Sequence, residues 1–581
     1  MKRILSTLLM LTMLVACMAG ISVTAETNTE GMTFQAEDYY RTETLLTALP
    51  ATYEATVKFP ADYDPEKKGG AIMGNYQAKN IPGFQFRIDD GGKPGLIIVD
   101  DQKTYNYYEF DQINVYTGEW VHIAIVKDSA GGTLTCYING EQKQTVTAAS
   151  PENVEMLYTL GLGSDHQRLN EFYFQGSIRN AALYSDIRTA DEIASDYAGT
   201  SAAEGLMVSY DLTQYGANSL PETIPDQSGN GLDLQLEHRW ITEKEPVEDY
   251  AYSFAIVGDP QYLTLNHPEK LVSMYMWIAE NTEEKNIQRV FTLGDLTHKD
   301  KSNEWLMFEA AIEELNDVVP YSLIRGNHDS KKQFTKNISF EDYGSTVDGT
   351  FDDTMLNTYK CFDVGNVPYL ILALDYLPSD EVLEWANGIV AAHPDRNVIV
   401  MTHSYMNNLG NRISNTATGT LADDGDEEAV NETLSGNCGT DMWNKFICKH
   451  ENITLVLCGH TYTTDLIKTV QEKGVHGNTV TQMVINPQRI DRELDGVGIV
   501  TMLYFSKDGS QVQVEHYSTV EEAYFLEENQ FSFELDLIDG NASLNTIIWY
   551  LLGAGALLFI GGTLFLLLRK KKATAQPAET E

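Results

Sequence analysis

The chain has 581 residues, more than one hydrophobic core normally holds, so two or three domains are expected. Its apolar fraction of 43% excludes a largely disordered chain. Its formal net charge of −44 argues against binding nucleic acid or anionic lipid through a basic surface.

The N-terminal segment has the pattern of a secretion signal. A positively charged start is followed by the apolar stretch Leu8–Ala19, and Val23–Ala25 supplies the small residues that precede a cleavage site. We therefore predict a signal peptide over residues 1–25. Bacterial lipoprotein processing is the alternative, because the sequence leading to Cys17 resembles a lipoprotein signal.

Residues 30–245 contain short β-type segments separated by turns rich in Gly, Asn and Asp, a spacing typical of an all-β sandwich. Within them, Asn139-Gly140 predicts a two-residue hairpin. Four segments, in their order along the chain, resemble the laminin-G/concanavalin-like jelly roll: Gly118–Ala124, Leu134–Gly140, Phe174–Tyr184 and Ile224–Gly231. The resemblance implies a jelly-roll domain over residues 30–245, with a glycan or a protein as its ligand.

Residues 250–525 alternate apolar strands with helical segments, which indicates a βαβ arrangement. Five of the apolar runs are followed by loops with polar residues. These residues are Asp259, Gln261, Asp295, Asn327, His328, Asp329, His403 and His460. Because the carboxyl ends of successive parallel strands meet at one edge of a sheet, we expect these side chains to converge there.

Carboxylate, carboxamide and imidazole groups at one edge of a sheet are suited to binding two divalent metals. Two metals about 3.5–4 Å apart neutralise phosphate oxygens, acidify a water and hold the ester in line for attack. The pattern therefore points to hydrolysis of a phosphate ester. The sequence has no Gly-x-Ser-x-Gly elbow, phosphate-binding Gly-Lys-Ser/Thr loop or His-Glu-x-x-His helix to support a competing chemistry.

The same loops, over about residues 252–520, resemble those of the calcineurin-like metallophosphoesterases. In that family they run Asp-x-His, Gly-Asp, Gly-Asn-His-Asp/Glu, His and Gly-His-x-His. The resemblance implies a four-layer αββα sandwich over residues 250–525 and two divalent metals, with manganese, iron or zinc as the candidates. The implied metal ligands are Asp259, Gln261, Asp295, Asn327, His403 and His460.

The resemblance also implies a role for each site residue. Asp295 would bridge the two metals, with Asp259 and Gln261 on one side and the remaining three ligands on the other. His328 would be the general acid or a stabiliser of the transition state, and Asp329 would orient His328.

Two residues depart from the family pattern. Gln261 stands where the family has His, and Tyr462 stands where the second His of Gly-His-x-His belongs. A carboxamide binds zinc-like metals less strongly than imidazole does, and a neutral phenol is a poor ligand for divalent metals. His298 could complete the weakened side, because related phosphatases place a metal-binding Tyr three residues after the bridging carboxylate.

The C-terminal segment Ile547–Leu568 is a run of 22 residues without a charge. At 1.5 Å per residue, a helix of this length would span a hydrocarbon core of about 30 Å. The basic cluster Arg569–Lys572 follows directly, which predicts a cytoplasmic tail over residues 569–581. We therefore predict a single transmembrane helix over 547–568 and a single-pass protein of the cell membrane, with its bulk outside the cell.

The sequence thus predicts an extracellular, membrane-anchored, metal-dependent enzyme that hydrolyses phosphate mono- or diesters. Nucleic acid is not an expected substrate, because the chain is strongly acidic. The alternative is a cell-surface protein that binds a glycan or another protein and whose phosphoesterase scaffold has lost activity. The changes at Gln261 and Tyr462 favour this alternative.

Overall fold

The computed structural model describes residues 31–34, 39–77, 79, 81–165, 173–200, 203–414, 436–462 and 466–538. It divides the chain into two compact units, Met1–His238 and Arg239–Glu581. The predicted signal peptide over residues 1–25 lies outside the described residues.

The first unit consists of two antiparallel sheets whose inner faces share one apolar core. In spatial order, the strands of one sheet are Met32–Thr33, Ser177–Tyr184, Thr52–Lys58, Val121–Asp128, Thr133–Ile138 and Glu141–Thr147, and Leu206–Asp211 also pairs with Ser177–Tyr184. Those of the other are Thr223–Ile224, Leu234–Glu237, Tyr39–Thr42, Gly161–Leu162, Gly70–Gly74, Gly83–Ile88, Pro94–Val99 and Tyr105–Glu109. A helix, Ala190–Tyr197, follows the Ser177–Tyr184 strand.

The hairpin predicted at Asn139-Gly140 is present. Asn139 and Gly140 have φ angles of 52° and 79°, and they join two strands that pair from Ile138 to Glu141. Positive φ at both central residues is the conformation that a two-residue hairpin of this kind requires. The first unit is therefore the expected all-β sandwich.

The second unit contains two mixed sheets. In spatial order, the first sheet contains Trp240–Ile241, Ala523–Phe525, Gln511–Ser518, Ile499–Ser506, Tyr250–Val257, Ile287–Thr292 and Tyr321–Leu323, and Phe531–Glu534 also pairs with Gln511–Ser518. The second sheet contains Gly349–Thr350, Thr358–Val364, Val367–Ala373, Asn397–Met401, Ile453–Cys458, Thr479–Ile485 and Ile467–Lys473.

Helices cover the outer faces of both sheets. They are Gln261–Asn266, Pro268–Glu280, Ser302–Ile312, Lys331–Asn337, Phe340–Tyr343, Asp380–Ala392, Gly439–Lys445 and Gln488–Glu493. One core lies between the two sheets. A second core packs helices against the outer face of the first sheet, and a third packs helices against the outer face of the second. This is the helix–sheet–sheet–helix order of the predicted four-layer sandwich.

The prediction of a C-terminal transmembrane helix is not supported, and neither is that of a single-pass membrane protein. In the part of the chain that the structure describes, no helix is both long and apolar enough to cross a membrane. The longest described helices, Pro268–Glu280 and Asp380–Ala392, have 13 residues each. They are about 20 Å long, against a hydrocarbon core of about 30 Å. The segment 547–568 lies outside the described residues.

Candidate metal centre

The candidate site lies where parallel strands of both sheets of the second unit end. Asp259 and Asp295 follow two neighbouring parallel strands of the first sheet, and His403 and His460 follow two neighbouring parallel strands of the second. Asp259, Asp295 and His403 are buried, and each offers a ligand atom within 4.8 Å of those of the other two. Both sheets therefore contribute to one cluster of metal-binding groups.

The loops reach this cluster through sharp turns. Asp259, Asp295 and His460 have φ angles of 34°, 50° and 66°, in the left-handed region that non-glycine residues seldom adopt. Such conformations cost free energy and concentrate at functional sites. The backbone is thus bent to direct these side chains into the site.

Two motif glycines are required because carboxylates pack against them. A Cβ atom at Gly326 would lie 2.0 Å from Asp295 Oδ1, and one at Gly459 would lie 1.9 Å from Asp259 Oδ1. Both positions leave no room for a side chain, so the Gly-Asn-His-Asp and Gly-His motifs need glycine for steric reasons.

Asn327 connects the two histidines. Its Oδ1 lies 3.0 Å from His403 Nε2 and 2.8 Å from His460 Nδ1. His403 Nδ1 donates to the Leu293 carbonyl at 2.7 Å, which leaves Nε2 as the nitrogen with a free lone pair when the ring is neutral. One carbonyl oxygen and two imidazoles thus converge on one side of the cluster.

Asp259 and Gln261 form the other side. Asp259 Oδ2 accepts hydrogen bonds from the backbone N of His460 at 2.8 Å and from Asn486 Nδ2 at 2.7 Å. Gln261 Nε2 donates to Asp295 Oδ2 at 3.3 Å and to Gln488 Oε1. Within the described residues, Asp259 Oδ1 and Gln261 Oε1 are buried and accept no hydrogen bond. Buried acceptors without a donor are costly, and a divalent cation would satisfy both, so these residues fit a metal.

The electrostatics of the cluster also favour a cation. Burial raises the pKa of Asp259 well above its usual range, and the charge of Asp295 adds to the rise. Burial also opposes ionisation of Asp295, but His403 and His328 outweigh it and lower that pKa. The pKa of His403 is raised by the two carboxylates against the effect of its own burial. A divalent cation would let both carboxylates stay charged.

The Asp329 side chain accepts four hydrogen bonds from the loops around Asp295. Its Oδ1 accepts from Thr297 N and Oγ1 at 2.9 and 2.8 Å, and its Oδ2 accepts from Leu296 N and Gly326 N at 2.9 and 3.1 Å. Asp329 therefore fixes the loops around Asp295. Burial and the charge of Asp295 raise its pKa to about 6.

His328 is held by a different group. Its Nδ1 donates to the His298 carbonyl at 2.8 Å, and its backbone N donates to Asp295 Oδ1 at 3.0 Å. The His298 ring stacks on His328 with centroids 5.0 Å apart and lies 4.7 Å from the Tyr262 ring. His298 thus contacts His328 through both its carbonyl and its ring.

Tyr462 faces a cation. The Arg489 guanidinium lies 5.1 Å from the centroid of its ring.

Three residues of the site were not predicted. Asn486 bonds to Asp259, Gln488 bonds to Gln261, and the Tyr376 ring lies 5.9 and 5.8 Å from those of His403 and His460. Asn486 directly follows the strand Thr479–Ile485, so the signal that identified the other loops, a polar residue after an apolar run, could have found it.

Two family models match the chain. Residues 34–194 match the concanavalin A-like lectin/glucanases superfamily, and residues 252–463 match the calcineurin-like phosphoesterases. A curated relative, the uncharacterised protein YvnB of Bacillus subtilis (strain 168), is 22% identical over 315 residues, or 51% of this chain. The match covers 22% of that relative, so the chain spans about a fifth of its length.

The chain is also similar to two solved structures. A dimetal phosphatase from Danio rerio is 11% identical and covers 48% of this chain and 99% of its own, with a TM-score of 0.29. A heptameric SAP-like pentraxin from Limulus polyphemus is 12% identical and covers 36% of this chain and 92% of its own, with a TM-score of 0.24.

Proposed function

We propose that the protein hydrolyses phosphate mono- or diesters with two divalent metal ions. The match of residues 252–463 to the calcineurin-like phosphoesterases supports this proposal. The observation that carries this proposal is the buried cluster of Asp259, Asp295 and His403, in which Asp259 Oδ1 has no donor among the described residues. The proposed ligands are these three residues with Gln261, Asn327 and His460.

The metals, when bound, would neutralise the phosphate oxygens and acidify the attacking water. Side chains of the protein would carry out the remaining steps. Because His328 Nδ1 donates to the His298 carbonyl, Nε2 is the nitrogen that would carry a proton to the leaving oxygen. Asp329 would hold the loop of the proposed bridging ligand Asp295 through three hydrogen bonds from Leu296 and Thr297, with a fourth from Gly326.

Turnover of simple esters tests this function. The purified protein, supplied with manganese, iron or zinc, is expected to hydrolyse p-nitrophenyl phosphate or bis(p-nitrophenyl) phosphate. Asp295→Ala and Asn327→Ala should each lower kcat/KM by about 100-fold or more, since loss of an outer contact already costs about 10- to 100-fold. Asp317→Ala, at an exposed loop position, is the matched control. Wild-type activity in Asp295→Ala would contradict the mechanism.

A second function is a binding protein whose phosphoesterase domain has lost activity. It is favoured by Gln261, whose Nε2 faces Asp295 Oδ2 and Gln488 Oε1 where the family pattern has a histidine. The match of the first unit to a lectin superfamily supports a glycan or protein ligand in either case. Less than one metal per chain together with no turnover would favour this function.

A further inference from the structure

We propose that Arg489 binds the non-bridging oxygens of the substrate phosphate and makes the site prefer phosphate monoesters to diesters. This inference rests on the proposed function, because it assigns the substrate class of the same site. Arg489 lies shortly after the strand Thr479–Ile485, beyond a loop that none of the sequence motifs includes.

This loop is attached to the metal centre at two points. Asn486 Nδ2 donates to Asp259 Oδ2 at 2.7 Å, and Gln488 Oε1 accepts from Gln261 Nε2. Gln488 also begins the helix Gln488–Glu493, and Arg489 is its second residue. The backbone that carries Arg489 is therefore fixed against both ligands on the weakened side of the site.

Within the described part of the chain, no carboxylate neutralises Arg489. Its Nε is buried without a hydrogen-bond partner, and no carboxylate among the described residues lies within 4.0 Å of its guanidinium. By contrast, Arg325, Arg396 and Arg412 each form an ion pair with Asp or Glu. In a chain of net charge −44, an unpaired and half-buried guanidinium beside a candidate metal centre suggests an anionic ligand.

Tyr462 explains how this guanidinium is held. The Arg489 guanidinium carbon lies 5.1 Å from the centroid of the Tyr462 ring, within the range of a cation–π contact. Such a contact occupies one face of the guanidinium and leaves its N–H edge free to bind oxygens. The change from His to Tyr at this motif position would then exchange a metal ligand for support of a phosphate-binding arginine.

The charges of the two ester classes explain why Arg489 should favour phosphate monoesters over diesters. A monoester has three non-bridging oxygens and carries up to two negative charges, whereas a diester has two such oxygens and one charge. The planar fork of Arg matches a pair of phosphate oxygens, and its attraction increases with their charge. Arg489 should therefore contribute more to a monoester than to a diester.

The test uses the intact, metal-loaded protein with Arg489→Gln and Arg489→Lys. Calorimetric titration with inorganic phosphate measures affinity, elemental analysis measures metal content, and kcat/KM is compared for p-nitrophenyl phosphate and bis(p-nitrophenyl) phosphate. Arg489→Gln should weaken phosphate binding about 10- to 100-fold with metal content unchanged, since a hydrogen bond to a charged group is lost. Its loss of kcat/KM should be about 10-fold greater for the monoester.

Arg489→Lys, which keeps the charge, should retain part of the affinity. Arg396→Gln, which removes a surface arginine paired with Asp363, is the control and should bind phosphate as the wild type does. Unchanged phosphate affinity in Arg489→Gln would overturn the proposal, as would a fall in its metal content. Equal losses for both esters would overturn the monoester preference.

The two proposals fail in different ways. If the wild type binds phosphate through Arg489 yet hydrolyses neither ester, the hydrolytic function fails and the role of Arg489 in phosphate binding stands. If the metal-loaded wild type binds no phosphate, both fail.

Discussion

Asp329 holds the loop of Asp295 through its carboxylate. All four hydrogen bonds of its carboxylate come from that loop or from Gly326, and it is fully buried. The contribution of Asp329 is therefore to position Asp295.

Asp329→Asn replaces one accepting oxygen with an NH2 group, which cannot accept from the donors that face it. We expect the free energy of unfolding to fall by about 1–3 kcal/mol, because buried donors lose their partner. Metal affinity should fall about 10- to 100-fold, as for other contacts that orient a ligand. Urea denaturation and metal titration measure the two effects. Asp317→Asn, at an exposed loop position, is the control; equal effects in both variants would contradict this role.

At this scale the sequence predicted the cluster but not its supporting contacts. Asp259, Asp295, His403 and His460 were recognisable because each follows an apolar run, a signal that is local along the chain. The partners of Asp329, and the bond from Asn486 to Asp259, join residues distant in sequence and depend on how the loops pack. No local pattern encodes such contacts.

At the scale of elements, the strand Gln511–Ser518 contains a buried histidine. His516 is 0% exposed, and its Nδ1 lies 2.6 Å from Thr501 Oγ1 on the neighbouring strand Ile499–Ser506. Burial lowers its pKa from 6.5 to about 3, so the ring stays neutral in the folded protein. The stability of the folded protein is therefore coupled to pH through this residue.

The unfolded chain takes up a proton at His516 below about pH 6.5 and the folded chain does not, so acid favours unfolding. The stabilising effect of the neutral ring is present above pH 6.5 and is lost progressively as the pH falls toward 3. We expect the difference in unfolding free energy between the wild type and His516→Gln to shrink by up to about 1.4 kcal/mol per pH unit in this window. Urea denaturation at several pH values measures it. A difference that does not change with pH would contradict the buried, neutral state.

Element types were more predictable than element partners. The hairpin at Asn139-Gly140 and the parallel strands before the site follow from turn residues and apolar runs. The sequence did not predict that Tyr250–Val257 pairs with Ile499–Ser506, about half the chain away. Such pairings depend on the burial of both faces of the sheet, which a linear pattern does not specify.

At the scale of the whole molecule, the chain has two compact units, each with its own core. Composition and length led to the expectation of more than one domain. The uncharged run Ile547–Leu568 and the basic residues after it predicted a membrane-spanning C-terminal helix, which the described residues do not support.

The central claim is that the second unit holds two divalent metals where the parallel strands of its two sheets end. Elemental analysis of the intact protein, loaded with manganese, iron or zinc and then dialysed, measures this directly. The account predicts about two metals per chain in the wild type and a clear loss in Asp295→Ala, because the proposed bridging carboxylate is removed. Fewer than one metal per chain in the wild type, or full occupancy in Asp295→Ala, would contradict it.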